Sequence, residues 1–172
     1  MPARVRRLLR AALLVGAASA GPVSASTITG TVELVILEPF TIVKLQDLEF
    51  GSLLPSAAAG TVTINPNTLA RTTTGGVTAA SGTFHPAEFI TRGTPNRRVI
   101  VRLPNGSTVL TRIGGGATMT VSNFTRNGAP PSSTPLDATG ILQFRIGGQL
   151  NVGANQLPGR YTGSFTVEVQ YQ

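Results

Sequence analysis

Apolar residues in this chain recur at every second position, and no window of eleven or more residues repeats them at helical spacing. The first such run is Ile28, Gly30, Val32, Leu34 and Ile36, closed by Pro39. Others follow at Phe40 to Leu45, Thr61 to Ile64, Phe84 to Ile90, Val99 to Leu103, Met119 to Val121 and Leu142 to Ile146, and the last extends from Tyr161 to Tyr171. Pro104-Asn105-Gly106, Gly114 to Gly116, Asn127 to Pro131 and Gly147-Gly148 separate these runs and read as turns or loops. Thr suits strands and Gly suits turns, and both are abundant. The pattern predicts an all-β chain of two stacked antiparallel sheets, with neither an internal repeat nor a domain linker.

The N-terminus departs from this pattern. Arg4, Arg6, Arg7 and Arg10 precede the apolar stretch Ala11 to Ala20, the order of a secretory signal peptide. Cleavage before Ser26 leaves a normal spacer, and cleavage before Gly21 is the alternative. The Arg6-Arg7 pair lacks the flanking residues of a twin-arginine signal. The apolar stretch is about half of what a membrane span needs, so no membrane anchor is expected. Residues 1–25 are therefore read as a leader, 26–38 as an extension or first strand, and 39–172 as one β-sandwich domain.

The leader changes the meaning of the charge. Removing its four arginines from fourteen basic residues leaves ten against seven acidic ones, a net charge of +3 rather than +7. No concentrated basic face follows, so nucleic acid is not an expected partner. The 147 residues that remain suffice to bury a core without disulfides, and the absence of Cys excludes thiolate catalysis and Cys-ligated zinc.

Residues able to carry chemistry are few. His85 is the only histidine and reads as a surface or strand-end residue. Asp47 and Glu49 share one strand face, with Leu48 and Phe50 expected to point into the core. Arg98 and Arg102 are expected on the outer face of a strand whose inner face carries Val99, Val101 and Leu103, with Arg97 just before it. The glycine runs lack the strand-to-helix context of a nucleotide site. No catalytic residue, metal site or cofactor is expected.

Both ends are unusual. Phe165, Val167, Val169 and Tyr171 run alternately into the final residue, Gln172, where most chains fray. At the other end, Gly30 interrupts the stripe from Ile28 to Ile36, as a strand interior allows where another backbone approaches closely. The C-terminal run, with Gly159 fourteen places from the end and Tyr171 penultimate, resembles the last strand of chaperone–usher pilus subunits. Asp47 to Gly51 and Gly147 to Leu150 are similar to secreted bacterial domains of unknown function related to spore-coat protein U and fimbrial subunits.

The resemblance implies an immunoglobulin-like sandwich lacking one strand, completed by β-strand addition from a donor. Ile28, Gly30, Val32, Leu34 and Ile36 would be the donor positions, spanning about 26 Å at ~3.3 Å per residue. Gly159, Phe165, Val167, Val169, Tyr171 and Gln172 would form the C-terminal strand offered to a periplasmic chaperone. The implied partners are copies of the chain or related subunits, with that chaperone and an outer-membrane usher. The implied route leads through the periplasm to the cell surface or the medium. The chain lacks the disulfide that many pilins carry. The expectation is a non-catalytic fibre or pilus subunit. The alternative is a self-contained secreted sandwich that binds a surface glycan or protein, with Ile28 to Ile36 as its own first strand.

Overall fold

The computed structural model describes residues 33–128 and 133–172. The leader, together with Ile28, Gly30 and Val32, lies outside the described residues. The chain divides into two units, Met1–Val35 and Ile36–Gln172, and the strands of the described residues all lie in the second.

The described residues form an all-β, antiparallel, sandwich-like arrangement. In chain order the strands are β1 (Thr41–Gln46), β2 (Leu53–Ile64), β3 (Arg71–Ala79), β4 (Ala87–Arg92), β5 (Arg98–Arg102) and β6 (Thr108–Arg112). They continue with β7 (Thr118–Arg126), β8 (Thr134–Pro135), β9 (Ile141–Val152), β10 (Tyr161–Thr162) and β11 (Glu168–Tyr171). The large sheet has the order β1-β4-β9-β7-β6-β10, with β2 joining β9 to β3, and the small sheet has the order β11-β5-β8.

Strand β9 is the axis of the large sheet. Its first half, Ile141 to Ile146, pairs with β4, and Gly148 to Val152 pair with β2 along the same edge. Strand β7 occupies the opposite edge from Ile146 to Asn151. Gly147 falls where β2 gives way to β4. A Cβ there would be driven into the carbonyl oxygen of Ile64 and would stand 2.7 Å from Pro66 Cδ. The expected turn at Gly147-Gly148 is therefore wrong: both glycines are buried in the middle of β9, a central strand of 12 residues. Glycine is needed there for close approach rather than for chain reversal. Gly114 to Gly116 do form a turn, with φ of +91°, +79° and +83°.

The C-terminal run also differs from expectation. It is broken, because Tyr161–Thr162 pair with β6 in the large sheet whereas Glu168–Tyr171 pair with β5 in the small one. Residues 163–167 cross between the layers, as strands do at a sandwich corner. Strands β3 and β6 carry no signal in the alternation, β3 because Arg71-Thr72-Thr73-Thr74-Gly75-Gly76 has no apolar period.

Two clusters make the core. One contains Phe50, Val62, Ile64, Val77, Val121, Leu150 and Val152, and the other contains Ala87, Phe89, Val101, Phe144 and Ile146. The small sheet covers the second, through Val101 on β5 and Val169 on β11. No residue of the small sheet enters the first.

Candidate functional site

Where the small sheet stops, a groove begins. Its volume is about 970 Å³, near the top of the roughly 300–1,000 Å³ range of small-molecule sites. Leu110, Met119, Val121, Leu150 and Val152, contributed by β6, β7 and β9, line it from the large sheet. The segments Asp47 to Pro55 and Gln156 to Gly163 flank these apolar side chains, with Phe165 nearby. The groove thus lies against the first core cluster, whose own side chains are buried.

On strand β1, Ile42 pairs with Thr91 and Lys44 with Phe89, and partners in register share a face of the sheet. Thr91 and Phe89 are buried, so Ile42 and Lys44 face the interior side as well. Even so, Ile42 is 43% exposed, and the Lys44 side chain is 55% exposed, ion-paired to Asp47 at 2.5 Å. Both side chains on this interior face are therefore substantially exposed among the described residues. An inward-pointing lysine on such an edge opposes indiscriminate strand pairing.

The wall formed by residues 47–52 is held from behind. Glu49 and His85 exchange backbone hydrogen bonds of 3.0 and 2.9 Å. His85 Nδ1 lies 2.9 Å from the Asp47 carbonyl, and Nε2 lies 3.3 Å from the Glu49 carboxylate. Leu48 and Phe50 point into the core while Asp47 and Glu49 face solvent, as the alternation implied. Further along, the Arg71 guanidinium donates to Phe50 O at 2.9 Å and to Ala80 O at 2.8 Å, and it lies over the Phe84 ring at 4.4 Å.

The second wall is fixed by polar contacts at its outer end. Arg112 Nε donates to Pro158 O at 2.7 Å, passing the site where a Cβ on Gly159 would intrude. Tyr161 Oη donates to Leu157 O at 2.6 Å and accepts from Gln156 Nε2 at 2.8 Å. At the inner end Phe165 packs against Phe124 and Phe89, with ring centroids 5.1 and 6.4 Å apart. Val167 and Val169 pack on the second core cluster, and the Gln172 amide donates to Arg98 O at 3.0 Å.

The residues just before β1 meet the end of β11. The Tyr171 ring packs against Phe40 at a tilt of 54°, with centroids 4.3 Å apart. Its hydroxyl donates to Glu38 O at 2.8 Å and accepts from the Thr94 amide at 2.6 Å. A few residues before this junction in sequence, Leu34 and Ile36 are 81% and 84% exposed.

Titratable groups are scattered. Among the described residues, no three of His, Asp and Glu gather where a metal could sit. Asp137 is held below the ordinary carboxylate range by the Ile141 amide and the Thr139 hydroxyl, and these bonds shape the turn before β9. Burial pushes the Arg126 guanidinium below its usual value, where it donates to Thr134 Oγ1 at 2.7 Å. Neither group lines the groove. Sequence reasoning missed Arg71 and Leu110, because neither lies in a run of clean alternation; Met119 lies in one, but nothing in the run marks it as a groove residue.

Residues 40–171 match the family described as Domain of unknown function (DUF4402). No curated protein and no solved structure matches the chain.

Proposed function

Because the chain belongs to the DUF4402 family, whose description gives no activity, we propose a function from the groove: this is a non-catalytic structural subunit of a bacterial surface fibre, assembled by donor-strand complementation. One observation carries the reading. The sandwich leaves an apolar-floored groove of about 970 Å³ against its first core cluster, and at the other edge of the large sheet Ile42 and Lys44 on the inward face of β1 are exposed. Such a gap fits an extended segment better than a compact ligand, since its flanks run along the chain from Asp47 to Pro55 and from Gln156 to Gly163.

The chain also carries a segment of suitable chemistry. Residues 28–36 present Ile28, Val32, Leu34 and Ile36 at alternate positions, with Gly30 among them. On insertion into a second copy, each buried aliphatic side chain would contribute about 1.5–3 kcal/mol, and main-chain hydrogen bonds would fix the register. The proposal carries with it export through the periplasm and a subunit-to-subunit partnership. In the chaperone–usher scheme that the C-terminal run resembles, a chaperone and an usher would deliver the subunit.

The test is assembly of the exported chain. Intact protein is expected to give an SDS-resistant ladder on unheated gels, and deletion of residues 26–38 to give monomer. A stable monomer from the intact chain, unchanged by that deletion, would sink the proposal. An apolar small molecule copurifying with such a monomer would turn the groove into a ligand site instead.

A further inference from the structure

The groove has two flanks, and a guanidinium at the start of β3 ties one of them down. Residues 50–52 link Glu49 to Leu53 at the start of β2, and all of residues 50–53 line the groove. Gly51 has φ +74°, a left-handed conformation that glycine tolerates best. Arg71 opens β3, twenty-one residues after Phe50.

Its planar guanidinium serves several carbonyls together. Nη1 donates to Phe50 O at 2.9 Å and reaches Ser52 O at 3.5 Å, and Nη2 donates to Ala80 O at 2.8 Å. The Phe84 ring supports the guanidinium from one side. Glycine at position 51 is part of the device, because a Cβ there would lie 2.5 Å from Nη1. Lysine would bring one strongly hydrated ammonium in place of a rigid fork, and it could not hold carbonyls on two segments in one plane.

Resting on the fibre reading, we infer that Arg71 is a positioning residue for strand uptake: it fixes the wall 50–53 at the separation from the opposite flank that an incoming strand requires. It does so without touching the strand. The Phe50 carbonyl is bound to Arg71 and both main-chain groups of Glu49 are bound to His85. This wall therefore works as a shaped apolar surface, whose position decides whether donor side chains seat.

The experiment separates receiving a strand from donating one. Arg71→Lys is made in the full exported chain, beside Val101→Ala, which truncates a fully buried side chain of the other cluster. Arg71→Lys is expected to slow ladder growth about tenfold or more, the equivalent of losing one charge-assisted hydrogen bond. It should still unfold cooperatively, and amide exchange should rise at residues 50–53. Mixed with a Leu34→Arg copy, which keeps an intact groove and has a spoiled donor strand, it should form heterodimers, because its own donor strand is intact.

Unchanged ladder growth would overturn the inference. So would a loss no greater than that of Val101→Ala at equal stability, or failure to form heterodimers when the Leu34→Arg copy accepts a wild-type strand. An Arg71→Lys chain that no longer unfolds cooperatively would also overturn it, since the guanidinium would then hold the fold rather than the groove. A wild-type chain that forms no ladder sinks the fibre reading itself, and the role of Arg71 with it.

Discussion

The hydroxyl of Tyr171 donates to the carbonyl of Glu38 at 2.8 Å across 133 residues of sequence. The same oxygen accepts from the Thr94 amide, and the ring rests on Phe40, so one side chain joins the end of the domain to its beginning. Residues preceding Glu38 therefore start from a fixed point. Tyr171→Phe keeps the ring contact and removes the hydroxyl, leaving the Thr94 amide without this acceptor. It is expected to lower unfolding free energy by about 1–2 kcal/mol, measured in urea with an unchanged dependence on denaturant.

Glycines at two positions should respond differently to alanine. At Gly147 the added methyl meets the Ile64 carbonyl inside the large sheet, where backbone must shift. At Gly115, with φ +79°, nothing lies within 4 Å, and only left-handed strain of about 1–2 kcal/mol opposes the change. Gly147→Ala should lower the melting midpoint well beyond Gly115→Ala, or prevent folding, as followed by circular dichroism.

These glycines also show what the sequence could and could not reveal. Alternation placed Val99 and Val101 inside and Arg98 and Arg102 outside, because that strand has one wet face and one dry face. Gly147-Gly148 looks locally like any turn, since the groups that crowd it, Ile64 on β2 for Gly147 and Val121 and Phe124 on β7 for Gly148, lie outside its local sequence. The final run keeps its alternation from Tyr161 to Tyr171 while changing sheets, and period alone cannot register which layer a strand pairs with. Arg71 escapes notice for the same reason: its work is done on carbonyls of Phe50 and Ala80, which no local pattern links to it. The groove itself becomes visible only with the small sheet limited to three strands.

Acid should weaken the turn that launches β9. The Asp137 carboxylate accepts from Thr139 N, Thr139 Oγ1 and Ile141 N at 2.7–2.8 Å, and these bonds depress its pKa. A depressed carboxylate stabilises the fold fully above its unfolded value of about 3.9 and loses that contribution as pH falls through the folded value. Asp137→Ala should thus melt below wild type at neutral pH, and the gap should narrow as pH drops below about 4. Calorimetry across that range checks the sign.

Lys44 is expected to guard an open edge. Replacing it with Val turns β1 into Thr-Ile-Val-Val-Leu-Gln, an uncharged segment with the signature of uncontrolled strand association. Lys44→Val should raise light scattering during refolding relative to wild type, while Lys44→Arg should not.

The natural absence of cysteine makes the central claim directly testable. One copy carries Leu34→Cys, and a second carries Cys at Leu110 or Met119 on the groove floor. The two are mixed during assembly and oxidised. Strand donation between subunits predicts a disulfide-linked heterodimer on non-reducing gels at one or both floor positions, lost when residues 28–32 are scrambled. No heterodimer at either position, or a bond that forms only within a single copy carrying both cysteines, would contradict it.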